Sequence, residues 1–307
     1  MMSWVVFFIA LAVISFLIAP WIAERMRTPM DDQEARTKAP GEFAELPSGT
    51  THYRWFGPEG GPIAVCVHGL STPSFGFVGL ATALSMKGWR VLTYDLYGRG
   101  YSDNVAGDQN VEFFLEQLDE LLEHQGVSGK FTLIGYSMGG MIATAYTARS
   151  SERVERLVML GSGGVAAIDT SGDGIIGRVS NPYFVRWLGV IFGGRSLRKY
   201  INDEKGADPV RARQIEQTRR RGYWPALMSS RLNILNTDFH ALHRQIADAE
   251  APVLAIWAKQ DQVIPIEALG ILAQINRAAR QEVLEDANHG LTYSHPKEIA
   301  EIILNVS

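Results

Sequence analysis

The sequence predicts an α/β fold: a mostly parallel central sheet with helices on both faces, a helical insertion, and one apolar helix ahead of the domain. Three observations carry this. Between about Ile63 and Leu160, short apolar, β-branched runs alternate with helix-length segments, the pattern of strands buried on both faces by crossover helices. The alternation stops from about Gly163 to Ala249, where only helical patterns occur, and resumes at "APVLAIWA". Ahead of all this, the 20 residues from Trp4 to Ala23 hold no charge.

That first segment, "WVVFFIALAVISFLIAPWIA", rises about 1.5 Å per residue as a helix and so spans roughly 30 Å, the thickness of a bilayer's hydrocarbon core. Trp4 and Trp21 stand near its ends, as interfacial aromatics do, and Pro20 falls in the last turn. A cleavable signal would begin with basic residues and end in a small-x-small site. Here "MMS" carries no basic side chain, and Pro20 and Trp21 crowd the cut. The domain downstream is complete without the segment, which argues against a core helix. Residues 1–23 are therefore expected to be a retained single-pass anchor, in the membrane through residues 4–23. Residues 24–41, charged and broken by Pro29, Pro40 and Gly41, read as a juxtamembrane linker. Arg25, Arg27, Arg36 and Lys38 lie on it, a positive bias that favours a cytoplasmic domain.

The run "FAELPSGTTHYRWFG" reads as a hairpin about a Pro-Ser-Gly turn. "IAVCVHG" is the first strand of the alternation, followed by a helix over about Phe75–Lys87, and "RVLTYDL" is the second. "VEFFLEQLDELLEHQG" has the apolar spacing of an amphipathic helix and stops at Gly126. "KFTLIGY" is the third strand and runs directly into "SMGGMIATAYTARS", a helix rich in small residues; "VERLVML" is the fourth. The insertion holds "NPYFVRWLGVIFGG", "DPVRARQIEQTRRRG" and "YWPALMSSRLNIL". After "APVLAIWA" come a helix around Ile266–Asn276, a short strand "QEVLED" and a closing helix "HPKEIAEIILNV". The expected organisation is a core of residues 42–162 and 250–307, with residues 163–249 as a helical insert.

The composition fits a single large domain. Of 307 residues, 46% are hydrophobic and 20% charged, which supports a buried core rather than disorder. A net charge of −4 points to no nucleic-acid partner. The lone cysteine, Cys66, sits in an apolar strand, so no intramolecular disulfide can form, and no zinc-type spacing exists. "DTSGDG" lacks the ligand spacing and terminal glutamate of a calcium loop and reads as a turn. No metal or organic cofactor is called for.

The chemistry concentrates at "GYSMG", residues 135–139, which places Ser137 on the break between a strand and a helix. A serine on that turn is held in a strained conformation with its oxygen clear of the sheet. Gly135 and Gly139 flank it because side chains there would strike the neighbouring strand and helix. A hydroxyl is a weak nucleophile, so it needs a base, and the base needs an orienting carboxylate. His289, in the polar loop "EDANHGL" after the last strand, is the candidate base. Asp261, in "WAKQDQVIP" after "VLAIWA", is the candidate acid. Asp95 precedes the nucleophile and is assigned to tying down the loop "YGRGYSD". The developing oxyanion needs donors: the amide of Met138, after the nucleophile, and that of Leu70 in "HGL", where Gly69 permits the turn and His68 is structural.

With these residues in place the sequence resembles the α/β-hydrolase superfamily, in its proline-iminopeptidase-like and monoacylglycerol-lipase-like branch. The motifs are "VHGLSTPSFGF", "TYDLYGRGYSD", "IGYSMGGMIA" and the pair "KQDQVIP" and "ANHGLTYSHP". Haloalkane dehalogenases and epoxide hydrolases share this framework but carry an aspartate at the elbow, so Ser137 implies an acyl-serine route. The resemblance implies that residues 163–249 are the cap that roofs the acyl pocket. An apolar N-terminal helix joined to such a domain looks like membrane-anchored monoacylglycerol lipases and bacterial inner-membrane phospholipase A enzymes. The latter resemblance allows a domain on the outer side of the inner membrane, against the charge bias.

The insert holds Phe184, Trp187, Ile191, Phe192 and Trp224, enough for an apolar roof. Residues 161–250 carry 13 Lys/Arg against 9 Asp/Glu, so a cap facing anionic headgroups and a solvated helix face bearing Arg211, Arg213, Arg219, Arg220 and Arg221 are both open readings. The function expected is a membrane-anchored serine carboxylester hydrolase, acting on acylglycerol or (lyso)phospholipid esters. Two alternatives stand beside it: the same triad on another acyl bond (thioesterase, acyltransferase, C–C hydrolase), and a non-catalytic ligand-binding relative. A homodimer through the membrane helix is compatible with the sequence, which does not fix the oligomeric state.

Overall fold

The computed structural model describes residues 2–29, 33–166, 184, 187–191 and 209–305. Strand β5 (Phe131–Tyr136) lies inside an eight-stranded sheet of order β1-β2-β4-β3-β5-β6-β7-β8. Its neighbours β3 (Ile63–Val67) and β6 (Val154–Leu160) run parallel to it, in register through Val65, Leu133 and Leu157. The strands β4 (Arg90–Tyr94), β7 (Val253–Ala258) and β8 (Arg280–Leu284) continue the parallel set. The hairpin of β1 (Glu42–Leu46) and β2 (Gly49–Phe56) adds an antiparallel edge, turning at Pro47-Ser48 as the sequence suggests.

Side-chain alternation along β3 shows why these strands are apolar throughout. Val65 and Val67 enter one core, against α4 (Val111–His124) and α5 (Met138–Arg149). Ala64 and Cys66 enter the other, under α3 (Val78–Ser85) and the closing helix, Pro296–Asn305. Burial pushes the Cys66 thiol up, so it stays protonated and serves as a small core residue. Asn110 caps α4, its side chain accepting from Phe113 N at 3.0 Å, and Phe114, Leu118, Leu121 and Leu122 form the helix's inner stripe. From Met138 to Ala148 helix α5 is buried, and its glycines and alanines let it lie close on the sheet.

Residues 167–183, 185–186 and 192–208 of the insert, which include "DTSGDG" and Phe192, lie outside the described residues. Three helices of the insert are described: α6 (Pro209–Gln217), α7 (Tyr223–Leu232) and α8 (His240–Asp248). Helices α6 and α7 bond to the loops after β3 and β4, whereas α8 packs on α5. The chain ends with α9 (Ala268–Ile275), α10 (Leu291–Ser294) and α11 (Pro296–Asn305).

Helix α1 (Met2–Arg25) is, among the described residues, the one helix long and apolar enough to cross a membrane, and its apolar length is exposed. The segment read as a linker makes specific contacts with the domain. Arg221 donates to the carbonyls of Glu24, Arg25 and Arg27, closing the end of α1 with a cation as helix C-termini favour. Gly222 N bonds Glu24 Oε2 at 2.8 Å, and Arg27 reaches Val190 O at 2.8 Å. Further on, a short helix α2 (Gln33–Thr37) places Arg36 on Asp103 at 2.6 Å. Arg220, too, is buried and donates to Gly100 O. Of the five arginines named for the basic face, Arg213 and Arg219 are exposed, Arg211 and Arg221 are half-buried, and Arg220 alone is buried in the fold.

Candidate active site

Ser137 stands between β5 and α5 at φ 54°, ψ −118°, a strained conformation for a residue with a side chain. Three backbone bonds hold it there. Its N–H donates to Leu160 O at 3.0 Å, and its carbonyl accepts from Gly140 N at 3.0 Å and Gly163 N at 3.2 Å. The flanking glycines are steric necessities. A Cβ on Gly139 would lie 2.0 Å from Val67 O, and one on Gly135 would lie 2.4 Å from Gly139 O.

His289 meets Ser137 from the loop after β8. Its Nε2 lies 3.0 Å from Ser137 Oγ, and its Nδ1 lies 2.7 Å from Asp261 Oδ2. A carboxylate oxygen accepts, so Nδ1 carries the proton and Nε2 is left to accept from the serine hydroxyl. Asp261 is itself fixed: Oδ1 takes the N–H groups of Val263 at 2.8 Å and Ile264 at 2.9 Å, which turns Oδ2 to the imidazole. The Asp261 side chain is 1% exposed and that of His289 12%, so the carboxylate is sealed while the imidazole remains reachable. Tyr136, the residue before the serine, donates its hydroxyl to His289 O at 2.8 Å and steadies the loop. Sequence spacing gave no sign of this tyrosine's task.

The loop after β3 closes the site. His68 is fully buried, with Nδ1 2.7 Å from Gly69 O and Nε2 accepting Leu96 N at 2.9 Å. Burial pulls its imidazole down to about 4, so it is neutral and structural, as read from sequence. Gly69 packs against Ser137, a Cβ there lying 3.2 Å from the serine's own. No acceptor among the described residues takes the N–H of Leu70 or of Met138. Met138 opens α5, where helix amides point outward without partners.

Asp95 lies at the end of β4 and ties down its loop, accepting Ser74 N at 2.9 Å and Tyr101 N at 3.0 Å. The sequence reading missed its partner. His52 on β2 places Nδ1 2.7 Å from Asp95 Oδ2 and Nε2 2.7 Å from Pro40 O. Both ring nitrogens face acceptors, so both carry protons and His52 is an imidazolium. Burial works against that charge, but the Asp95 carboxylate outweighs it and raises the His52 pKa. Burial would likewise raise Asp95, yet His52 holds it well below the usual carboxylate range. Three residues could offer ligands to a metal ion, Asp286, His295 and Glu298, with ligand atoms within 4.8 Å of one another. They share no hydrogen bond with Ser137, His289 or Asp261.

The family described as the alpha/beta hydrolase fold matches residues 62–296, most of the chain. The chain belongs to that family. A monoacylglycerol lipase of Xenopus laevis is 22% identical over 260 residues, covering 80% of this chain and 75% of its own. A 2-hydroxymuconate semialdehyde hydrolase of Pseudomonas putida is 29% identical over 259 residues, covering 80% and 87%. Among solved structures, a bacterial membrane phospholipase A superposes with a TM-score of 0.70 at 19% identity, covering 99% of this chain and 96% of that one. At that identity it shows the fold alone, but the superposed part takes in α1. Within the α/β-hydrolase fold family, hydrolysis is what these relatives have in common.

Proposed function

We propose that the protein is a serine ester hydrolase in which Ser137 is the nucleophile, His289 the general base and Asp261 the residue that orients it. The observation that carries this is the hydrogen-bonded chain from Asp261 Oδ2 through His289 to Ser137 Oγ, at 2.7 and 3.0 Å. Ser137 Oγ attacks the acyl carbonyl while His289 Nε2 takes its proton, and Asp261 stabilises the imidazolium that forms. The amides of Leu70 and Met138 receive the oxyanion of the tetrahedral intermediate. His289 then passes its proton to the leaving alkoxide, and the acyl group remains on Ser137. Water, deprotonated by His289, attacks the acyl-serine, and collapse of the second intermediate returns the proton to Ser137 and frees the acid.

The substrates proposed are acylglycerol or (lyso)phospholipid esters met at a membrane that α1 spans as an anchor. Support comes from the exposed apolar length of α1 and from relatives named as lipases. The same triad serves other acyl bonds, and the resemblance to the 2-hydroxymuconate semialdehyde hydrolase favours one such second reading. Comparing products from monoacylglycerol, lysophospholipid and acyl-CoA separates these. The test of the chemistry is Ser137→Ala in the full chain: it should abolish turnover of p-nitrophenyl butyrate and labelling by a fluorophosphonate, with folding retained. Turnover that survives the substitution overturns the assignment, and wild-type protein inert to both probes supports a ligand-binding role.

A further inference from the structure

Three successive residues after β3 are each held from a distance. Leu70 O accepts Arg99 Nε at 3.2 Å, Ser71 O accepts the Tyr223 hydroxyl at 3.3 Å, and Thr72 Oγ1 accepts Gln214 Nε2. Tyr223 and Gln214 belong to the insert; Arg99 belongs to the loop after β4 but reaches the insert as well. Its Nη2 donates to Ser230 Oγ on α7 at 2.7 Å, and its Nη1 to Tyr97 O at 2.9 Å and to Gln109 Oε1. Ser230 Oγ in turn donates to Gln109 Oε1 at 2.6 Å, closing the network.

Arg99 is fully buried, and every acceptor it meets is neutral. Burial pulls its guanidinium down to about 9, which leaves it a cation at neutral pH. A buried cation without an anion costs stability, and an apolar residue of the same volume would pack there at less expense. What the guanidinium supplies instead is geometry: a rigid planar fork that fixes several acceptors at once.

Those acceptors bear on the proposed oxyanion donor. The Leu70 N–H shares its peptide plane with the Gly69 carbonyl, which His68 Nδ1 holds at 2.7 Å. The next plane carries the Leu70 carbonyl, which Arg99 holds. With the planes on both sides of the Leu70 Cα gripped, the direction of its N–H is set. We propose that Arg99 is a positioning residue for acyl transfer: it fixes the Leu70 peptide so that its N–H meets the oxyanion, and through Ser230 it ties that geometry to the seating of α7. This rests on the serine-hydrolase reading above. The packing agrees, because Leu70 lies against the small apolar cluster of Tyr223, Trp224 and Leu227, which Ala23 of α1 also touches.

The test compares full-length, detergent-solubilised wild type with Arg99→Lys, Arg99→Met and Ser230→Ala. The kcat and KM for p-nitrophenyl butyrate are measured per active site, with sites counted by exhaustive fluorophosphonate labelling, alongside thermal midpoints. Lysine keeps the charge but cannot span the acceptors. A misdirected donor should therefore lower kcat per site about 10- to 100-fold in Arg99→Lys, with KM within about threefold. Ser230→Ala should lower it in the same sense by a smaller factor. A purely structural role would lower the midpoint and the number of sites while leaving kcat per site intact. Arg99→Lys with kcat per site within about twofold of wild type overturns the proposal whatever its midpoint. If Arg99→Met does not fold, the lysine and Ser230 variants decide. Wild-type turnover that Ser137→Ala retains overturns both this proposal and the reading beneath it.

Discussion

Ser137, the proposed nucleophile, shows how little of a residue's geometry resides in its own identity. Its left-handed φ is imposed by a strand that ends at Tyr136, a helix that starts at Met138 and two glycines that let the elements touch. Gly139→Ala should accordingly destabilise the fold by about 1–3 kcal/mol, because the new Cβ meets the Val67 carbonyl at 2.0 Å rather than a yielding side chain. Urea unfolding with an unchanged midpoint would contradict that. Asp261→Asn tests the tautomer assignment. An amide NH2 facing His289 Nδ1 would favour the proton on Nε2, the nitrogen that must accept, and kcat should fall by about 10⁴ with KM little altered. A loss below tenfold would mean that Asp261 does not set the imidazole. The residues of the proposed triad were readable because each stands just past a strand end, Ser137 on a strand-to-helix turn and Asp261 and His289 in short polar loops. Tyr136 and Arg99 were not, since no local pattern marks a tyrosine or arginine whose partners are a backbone carbonyl and a serine 153 and 131 residues away.

At the level of elements, the cross-strand pair of His52 on β2 and Asp95 after β4 locks the antiparallel edge to the parallel sheet and, through Pro40 O, holds the segment before β1. Its pH dependence has a definite sign. His52 has a raised folded pKa, so its contribution is complete below the unfolded value of about 6.5 and is lost as pH rises through the folded value. Asp95 has a depressed one, so its contribution is present above about 3.9 and is lost as pH falls through the folded value. The pair therefore stabilises fully between roughly pH 4 and 6.5 and weakens on the alkaline side. His52→Gln should cost about 3 kcal/mol near pH 5.5, since breaking a buried pair leaves a charge uncompensated, and the gap to wild type should narrow towards pH 9. Denaturation curves at the two pH values measure it; a gap that widens with pH would refute the imidazolium. A histidine in a hairpin strand carries no sequence mark of such a partner, because pairing β2 with β4 is a property of the sheet.

For the molecule as a whole, the proposed anchor and the insert are joined at the end of α1. The turn at Arg221 and Gly222 grips Glu24, Arg25 and Arg27, and Trp187 stacks on Phe16 with ring centroids 4.3 Å apart. A chain beginning at Glu24 keeps that grip but loses the apolar length. It should leave the membrane fraction on carbonate extraction, where the full chain stays, and both should label with fluorophosphonate; a full chain released by carbonate would refute the anchor. The sequence by itself determined the alternating elements, the elbow, and the order of serine, aspartate and histidine, because hydrophobic period and turn chemistry act over a few residues. It also marked the N-terminal helix, whose length and lack of charge are local facts. Only the tertiary structure decided that the segment before β1 is held at both ends, that Arg220 of the insert is buried against the loop after β4, and that a buried cation grips the loop of Leu70. Those contacts join residues from 29 to 198 positions apart, and such distances are set by how the layers pack, which no local pattern encodes.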